Sequence, residues 1–122
     1  MVNCHCRDCQ RAGGAGYSPT VVISRTAFRL SGGQPAVHEV SAASGETATR
    51  AFCGSCGSPL FASSSARPEM VGIRAGSLDD PSWFRATADV WTASAQPWDL
   101  LHPDTEKHAQ GRARRDRSLP PK

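Results

Sequence analysis

Apolar positions along this chain come in short bursts, separated about every eight to twelve residues by Gly, Pro, Ser and Asp. That is the pattern of brief strands joined by tight turns. Residues 17–24 are predicted as a strand centred on Val21-Val22-Ile23, β-branched side chains that pack well on a pleated surface. Phe28-Arg29-Leu30 is predicted as a second strand, stopped by Ser31-Gly32-Gly33-Gln34-Pro35. Residues 36–41 and 47–52 follow as strands, with a turn over 41–46. Segments 59–62, 70–74 and 86–92 complete the series, and 63–68 reads as loop. Leu78-Asp79-Asp80-Pro81 has the chemistry of a turn: Asp side chains bond to nearby backbone and Pro fixes φ. Residues 7–12 form a short helical turn, broken by Gly13-Gly14-Ala15-Gly16. Residues 95–101 are irregular, with Trp98 packing onto the sheet, and no order is predicted from Pro103 onward. The expectation is a mainly β domain of short antiparallel strands over 1–102, then a disordered basic tail over 103–122.

Composition adds bounds rather than identity. At 122 residues the chain has room for one domain with a modest core. No apolar run approaches the about 20 residues needed to cross a bilayer, so no membrane partner is expected. The net charge of +3 is unevenly spread: six of 14 basic and three of 11 acidic residues lie in 103–122, which leaves eight of each in 1–102. A neutral body lacks the basic footprint of a nucleic-acid binder, and no nucleic acid is expected as partner. The run holding Arg112, Arg114, Arg115 and Arg117 reads as a solvated terminus. Met1 leads directly into a cysteine motif without the apolar stretch of a secretion signal. The expected location is therefore the cytoplasm, where thiols stay reduced.

The cysteines carry the chemistry. All five fall in two clusters, Cys4-His5-Cys6-Arg7-Asp8-Cys9 and Cys53-Gly54-Ser55-Cys56. C-x₂-C spacing lets two sulfurs from one tight turn occupy two corners of a tetrahedron, the geometry zinc prefers. Gly54 and Gly57 suit such a turn because glycine tolerates positive φ. Structural disulfides fit poorly: the count is odd and the pairs lie too close in sequence to staple distant segments. A redox dithiol is the remaining alternative. Cys53 and Cys56 fall at the tip of a hairpin between two predicted strands. Gly13 to Gly16 lacks the spacing and following Lys of a phosphate loop, and is expected to let backbone approach the cluster.

Other polar residues are less informative. His5 sits between two ligand candidates, where its side chain is expected to point the opposite way. His38, His102 and His108 are isolated and read as surface residues. Ser18, Ser58 and Ser77 lack a His/Asp partner at a recognisable spacing, so no hydrolase triad is supported. Trp83, Trp91 and Trp98 read as core and rim, since no basic residues interleave them as in a base-stacking platform.

Taken together, the cysteine motifs, Gly57-Ser58-Pro59-Leu60-Phe61, Gly76-Ser77-Leu78-Asp79-Asp80-Pro81, Trp91 and Pro97-Trp98 resemble the glutathione-dependent formaldehyde-activating (S-(hydroxymethyl)glutathione synthase) family, which includes centromere protein V. The resemblance spans about residues 1–102. It implies a β-tent with zinc as cofactor. Cys4, Cys6 and Cys9 would hold a catalytic zinc with one corner open, and Cys53 and Cys56 would supply half of a structural site. The family's upstream C-x-C-G motif has no counterpart here, and five cysteines cannot build two Cys₄ sites. One closed site, from Cys53 and Cys56 with two of Cys4, Cys6 and Cys9, is an alternative.

The implied activity is that of a carbon–sulfur lyase that activates a thiol such as glutathione for addition to formaldehyde or a similar small electrophile. No catalytic residue is expected beyond the metal site; Arg7 and Gln10, next to the cluster, are the expected substrate contacts. The competing reading is a non-catalytic zinc-stapled β module that binds protein. A cysteine redox sensor is a third, and whether the chain pairs as a homodimer is left open.

Overall fold

The computed structural model describes residues 1–41 and 45–112. Its strands are β1 (Val2–Cys4), β2 (Ser18–Ser24), β3 (Ala36–Ser41), β4 (Thr47–Phe52), β5 (Pro59–Ser64), β6 (Met70–Arg74), β7 (Ala88–Val90) and β8 (Glu106–Lys107), and a helix, α1 (Arg7–Gly13), joins β1 to β2. All eight strands lie in one sheet, ordered β3-β4-β5-β6-β2-β1-β7-β8. The expected mainly β class is what the chain adopts. The β1–β7 and β7–β8 pairs are parallel and the other neighbours antiparallel.

The register places chemistry on one face. Directly paired residues share a face, and so do residues two apart on a strand. Cys4 pairs with Ser18, and Thr20, two further on, pairs with Arg74. Gly72, two before Arg74, pairs with Ala62; Ala62 pairs with Arg50, and Arg50 with His38. Cys4, Ser18, Arg74, Arg50 and His38 therefore lie along the same side, across six strands.

The core is thin. Its buried apolar residues are small: Cys9, Ala51, Val71, Ala75, Ala88 and Val90. Five polar residues are equally buried: His5, Gln10, Ser18, Thr20 and Asp89. Such groups stay buried only when hydrogen-bonded, so polar networks position much of this fold.

Several elements differ from expectation, each for a local reason. Residues 28–30 form no strand. A 3-10 turn, Arg25–Ala27, is closed by Phe28 N–H to Arg25 C=O at 3.1 Å. Phe28 then stacks on Phe61, with ring centroids 4.7 Å apart, instead of joining a ladder. The first residues show only the cysteine motif in sequence, yet Val2–Cys4 is a strand between β2 and β7. Strand β5 runs on to Ser64, beyond the expected end at 62, because Ala48 and Thr49 of β4 give it partners. Strand β7 is shorter than 86–92, since Trp91 enters the left-handed region at φ 58° and breaks the ladder. Order also continues past Pro103: β8 pairs with β7, His108 N–H bonds Asp89 C=O at 2.9 Å, and Trp91 N–H bonds Gln110 C=O at 3.1 Å. Trp98 does not pack down as expected but is 67% exposed. Residues 42–44 of the expected 41–46 turn, and the tail from 113 onward, lie outside the described residues.

Candidate metal centre and its surroundings

Strand β1 delivers Cys4 at its end, and the chain turns at once into α1. Cys6 is the N-cap of that helix, with extended backbone, and its Sγ accepts a hydrogen bond from Cys9 N–H at 3.3 Å. The cap sulfur and the buried Cys9 thus face one another across the first turn. The three sulfurs of Cys4, Cys6 and Cys9 lie within 4.8 Å of one another, and none is in a disulfide. Tetrahedral zinc with Zn–S bonds of about 2.3 Å needs sulfurs about 3.8 Å apart, so the trio fits a zinc ion with one position left over. It is also, among the described residues, the group of three or more candidate ligands that the fold gathers.

The trio is electrostatically uneven. Hydrogen bonding to the Cys6 and Cys9 sulfurs, with burial, pushes the Cys4 thiol far up. The same contacts, from the Cys4 and Cys6 thiols, pull the Cys9 thiol far down, aided by the Arg74 and Arg50 guanidiniums.

His5 points the other way, as alternation in an extended segment requires. It is 1% exposed. Its ring spans two carboxylates, with Nδ1 2.8 Å from Asp99 Oδ2 and Nε2 2.7 Å from Asp89 Oδ1. Asp89 also accepts from the Thr105 hydroxyl and lies 3.5 Å from Lys107 Nζ. This network ties the cysteine loop to β7, β8 and the segment around Asp99. Neither carboxylate stands out in the sequence reading; the one available signal is an acidic residue inside the apolar stretch Ala88-Asp89-Val90.

Gln10 is buried, and its amide N–H groups donate to His5 C=O at 2.7 Å and Ser94 C=O at 3.0 Å. Its Oε1 accepts from Gln96 at 3.1 Å and from the Arg7 guanidinium. Arg7 itself is exposed at the start of α1. Of the two expected substrate contacts, Arg7 thus reaches solvent beside the trio, while Gln10 is engaged within the fold and orients Arg7.

Cys53 and Cys56 form a separate pair at the β4–β5 tip. Cys53 N–H bonds Ser58 C=O at 2.9 Å and Gly57 N–H bonds Cys53 C=O at 2.8 Å, closing the knuckle. Gly57 has φ 78°, as the turn requires, whereas Gly54 does not adopt positive φ. Cys56 Sγ lies 3.0 Å from Ser58 Oγ, and this contact lowers the exposed thiol. The candidate ligands gathered within 4.8 Å are Cys4, Cys6 and Cys9, and Cys53 and Cys56 are not among them. Gly13 to Gly16 also serves differently from expected. Gly14 N–H closes α1 on Gln10 C=O at 2.8 Å, and Gly16 lies against Trp98 and Asp99. Asp80 Oδ1 accepts from Ser82 N–H at 3.0 Å, so Asp79-Asp80 belongs to a turn, as read.

A cavity of about 240 Å³ lies between the end of α1 and β3 to β6; none of the three cysteines lines it. Its walls include Gly13, Ser18, His38, Arg50, Phe52 and Arg74. Ser18 links it to the cysteine trio, since its hydroxyl donates to Cys9 C=O at 3.3 Å.

No curated protein matches the chain significantly. A family model does match: the glutathione-dependent formaldehyde-activating enzyme model aligns with residues 1–94, taking in both cysteine clusters and all the strands but β8. On that match, over more than two-thirds of its length, the chain belongs to the glutathione-dependent formaldehyde-activating enzyme family.

Proposed function

We propose that this protein activates a glutathione-like thiol for addition to formaldehyde or a similar small electrophile, with Cys4, Cys6 and Cys9 holding a zinc ion. The observation that carries the reading is the gathering of three free sulfurs within 4.8 Å of one another, in a chain of this family. When bound, the metal would supply stabilisation of a thiolate at neutral pH, as zinc does for coordinating thiols. Three cysteine thiolates leave little Lewis acidity for activating water, so the donor set suits thiol chemistry better.

The reaction needs no oxidant. The substrate thiol gives up its proton, sulfur forms a bond to the carbonyl carbon, and the C=O π pair moves to oxygen. Oxygen then takes up a proton to complete the hemithioacetal. The chain's part is to hold both reactants together and to present a donor where the alkoxide develops. Arg7, held by Gln10, is proposed for that donor role. The β-tent architecture and a cytoplasmic setting, where thiols stay reduced, belong to the same reading. The competing zinc-stapled binding module would show no response of its metal site to glutathione.

Replacing Cys6 with Ser tests the assignment cleanly. Ser is a good helix N-cap, so the local fold survives while one sulfur is lost. The rate of S-hydroxymethylglutathione formation, followed by NMR exchange, is expected to fall to the uncatalysed level. Retained activity in a folded Cys6→Ser protein would refute the reading.

A further inference from the structure

The cavity on the trio's side of the sheet holds two guanidiniums, Arg50 from β4 and Arg74 from β6, and no carboxylate among the described residues shares it with them. Arg74 donates an Nη1–H to Thr20 Oγ1 at 2.8 Å. Arg50 is more telling: its Nε is buried and has no hydrogen-bond partner among the described residues. A buried cationic donor without an acceptor is costly, and a fold retains one where a ligand supplies the acceptor. Guanidinium groups suit carboxylates, which they can grip through two parallel hydrogen bonds. His38 is directly paired with Arg50 and lines the same cavity.

We infer that the Arg50–Arg74 cavity is the subsite for a carboxylate of the thiol substrate, and that it makes the protein selective for anionic thiols over neutral ones. The inference rests on the proposed thiol chemistry for its orientation: sulfur at the Cys4–Cys6–Cys9 end, carboxylate at the arginine end. Ser18 joins the two ends, as it lines the cavity and binds the Cys9 carbonyl. Arg50 and Arg74 are specificity residues in this arrangement and take no part in bond making.

The test uses S-methylglutathione, whose blocked sulfur cannot react, so that binding is read apart from catalysis. Calorimetry on the metal-loaded protein compares it with its dimethyl ester, and compares wild type with Arg50→Gln and Arg50→Lys. S-methylglutathione is expected to bind wild type about 10- to 100-fold more tightly than the ester does, the scale of a hydrogen-bonded charge. Arg50→Gln is expected to erase that difference and Arg50→Lys to restore part of it. Equal binding of acid and ester by wild type would overturn the subsite without relying on any variant, as would absence of binding to wild type. Selective binding without any turnover of glutathione and formaldehyde would instead overturn the proposed reaction and leave the carboxylate subsite standing.

Discussion

His5 occupies the middle of a C-x-C motif and does no metal work in this fold. Extended backbone sends Cys4 and Cys6 to one side and the imidazole to the other, where Asp89 and Asp99 close on it at 2.7 and 2.8 Å. Removing the ring leaves two poorly solvated carboxylates without their partner, a change that costs about 3–5 kcal/mol in comparable buried pairs. His5→Ala is therefore expected to lower thermal stability sharply, read as a large drop in Tm by circular dichroism; a Tm within a degree or two of wild type would contradict this. Asp89 adds a pH signature. Burial pushes its carboxyl up, but hydrogen bonds from Thr105, His5 and Asn3 outweigh it and hold the group below its ordinary value. A lowered folded value means stability that is fully present above the unfolded value of about 3.9 and is lost as pH falls through the folded one. Asp89→Asn should flatten the decline in Tm below about pH 4; an unchanged acid slope would show that other groups dominate it. The cysteines were legible from spacing alone, because C-x₂-C geometry is local. Asp89 and Asp99 were not: they meet His5 across 84 and 94 residues of chain, and no local pattern encodes that meeting.

Among elements, legibility followed length and local periodicity. Strands β2, β3, β4 and β6 have five or more residues, and alternation or β-branched runs disclosed them. Strand β1 has three residues and β8 two, and both are held by parallel pairing to β7. A run that short carries no readable period, and a parallel partner lies far along the chain. Phe28-Arg29-Leu30 erred the opposite way, since its apolar ends serve a ring contact rather than a ladder. The knuckle between β4 and β5 was read correctly as a tip, and one residue there is decisive. Gly57 at φ 78° has open space around the site of a Cβ, so a substitution costs conformation and nothing else. Gly57→Ala is expected to destabilise by about 1–2 kcal/mol, seen as a lower midpoint in urea at unchanged slope. An unaltered midpoint would mean that the turn relaxes freely and does not constrain Cys53 and Cys56.

At the scale of the whole molecule, the sheet separates two functions between its faces. One side carries Cys4, Ser18, Arg74, Arg50 and His38 in register. The other takes His5 and the carboxylates that pin the cysteine loop. The thin core, built of Ala, Val and Cys among buried polar residues, would give a bound metal a large share in stability, since structural zinc in small peptides contributes about 10–16 kcal/mol against a typical domain total of about 5–15 kcal/mol. Sequence patterns disclosed the class of fold and the cysteine cluster that could bind a metal. The shared face became visible only through the register of six strands.

The central claim is that Cys4, Cys6 and Cys9 alone hold a metal with a position open to a substrate thiol. The most direct measurement is the absorption spectrum of the cobalt-substituted Cys53→Ser/Cys56→Ser double variant, before and after addition of glutathione. The expected result is one cobalt per chain, sulfur-to-metal charge-transfer bands from three thiolates, and a gain in their intensity when glutathione supplies a fourth. A double variant that takes up no cobalt, or one whose bands do not respond to glutathione, would contradict it.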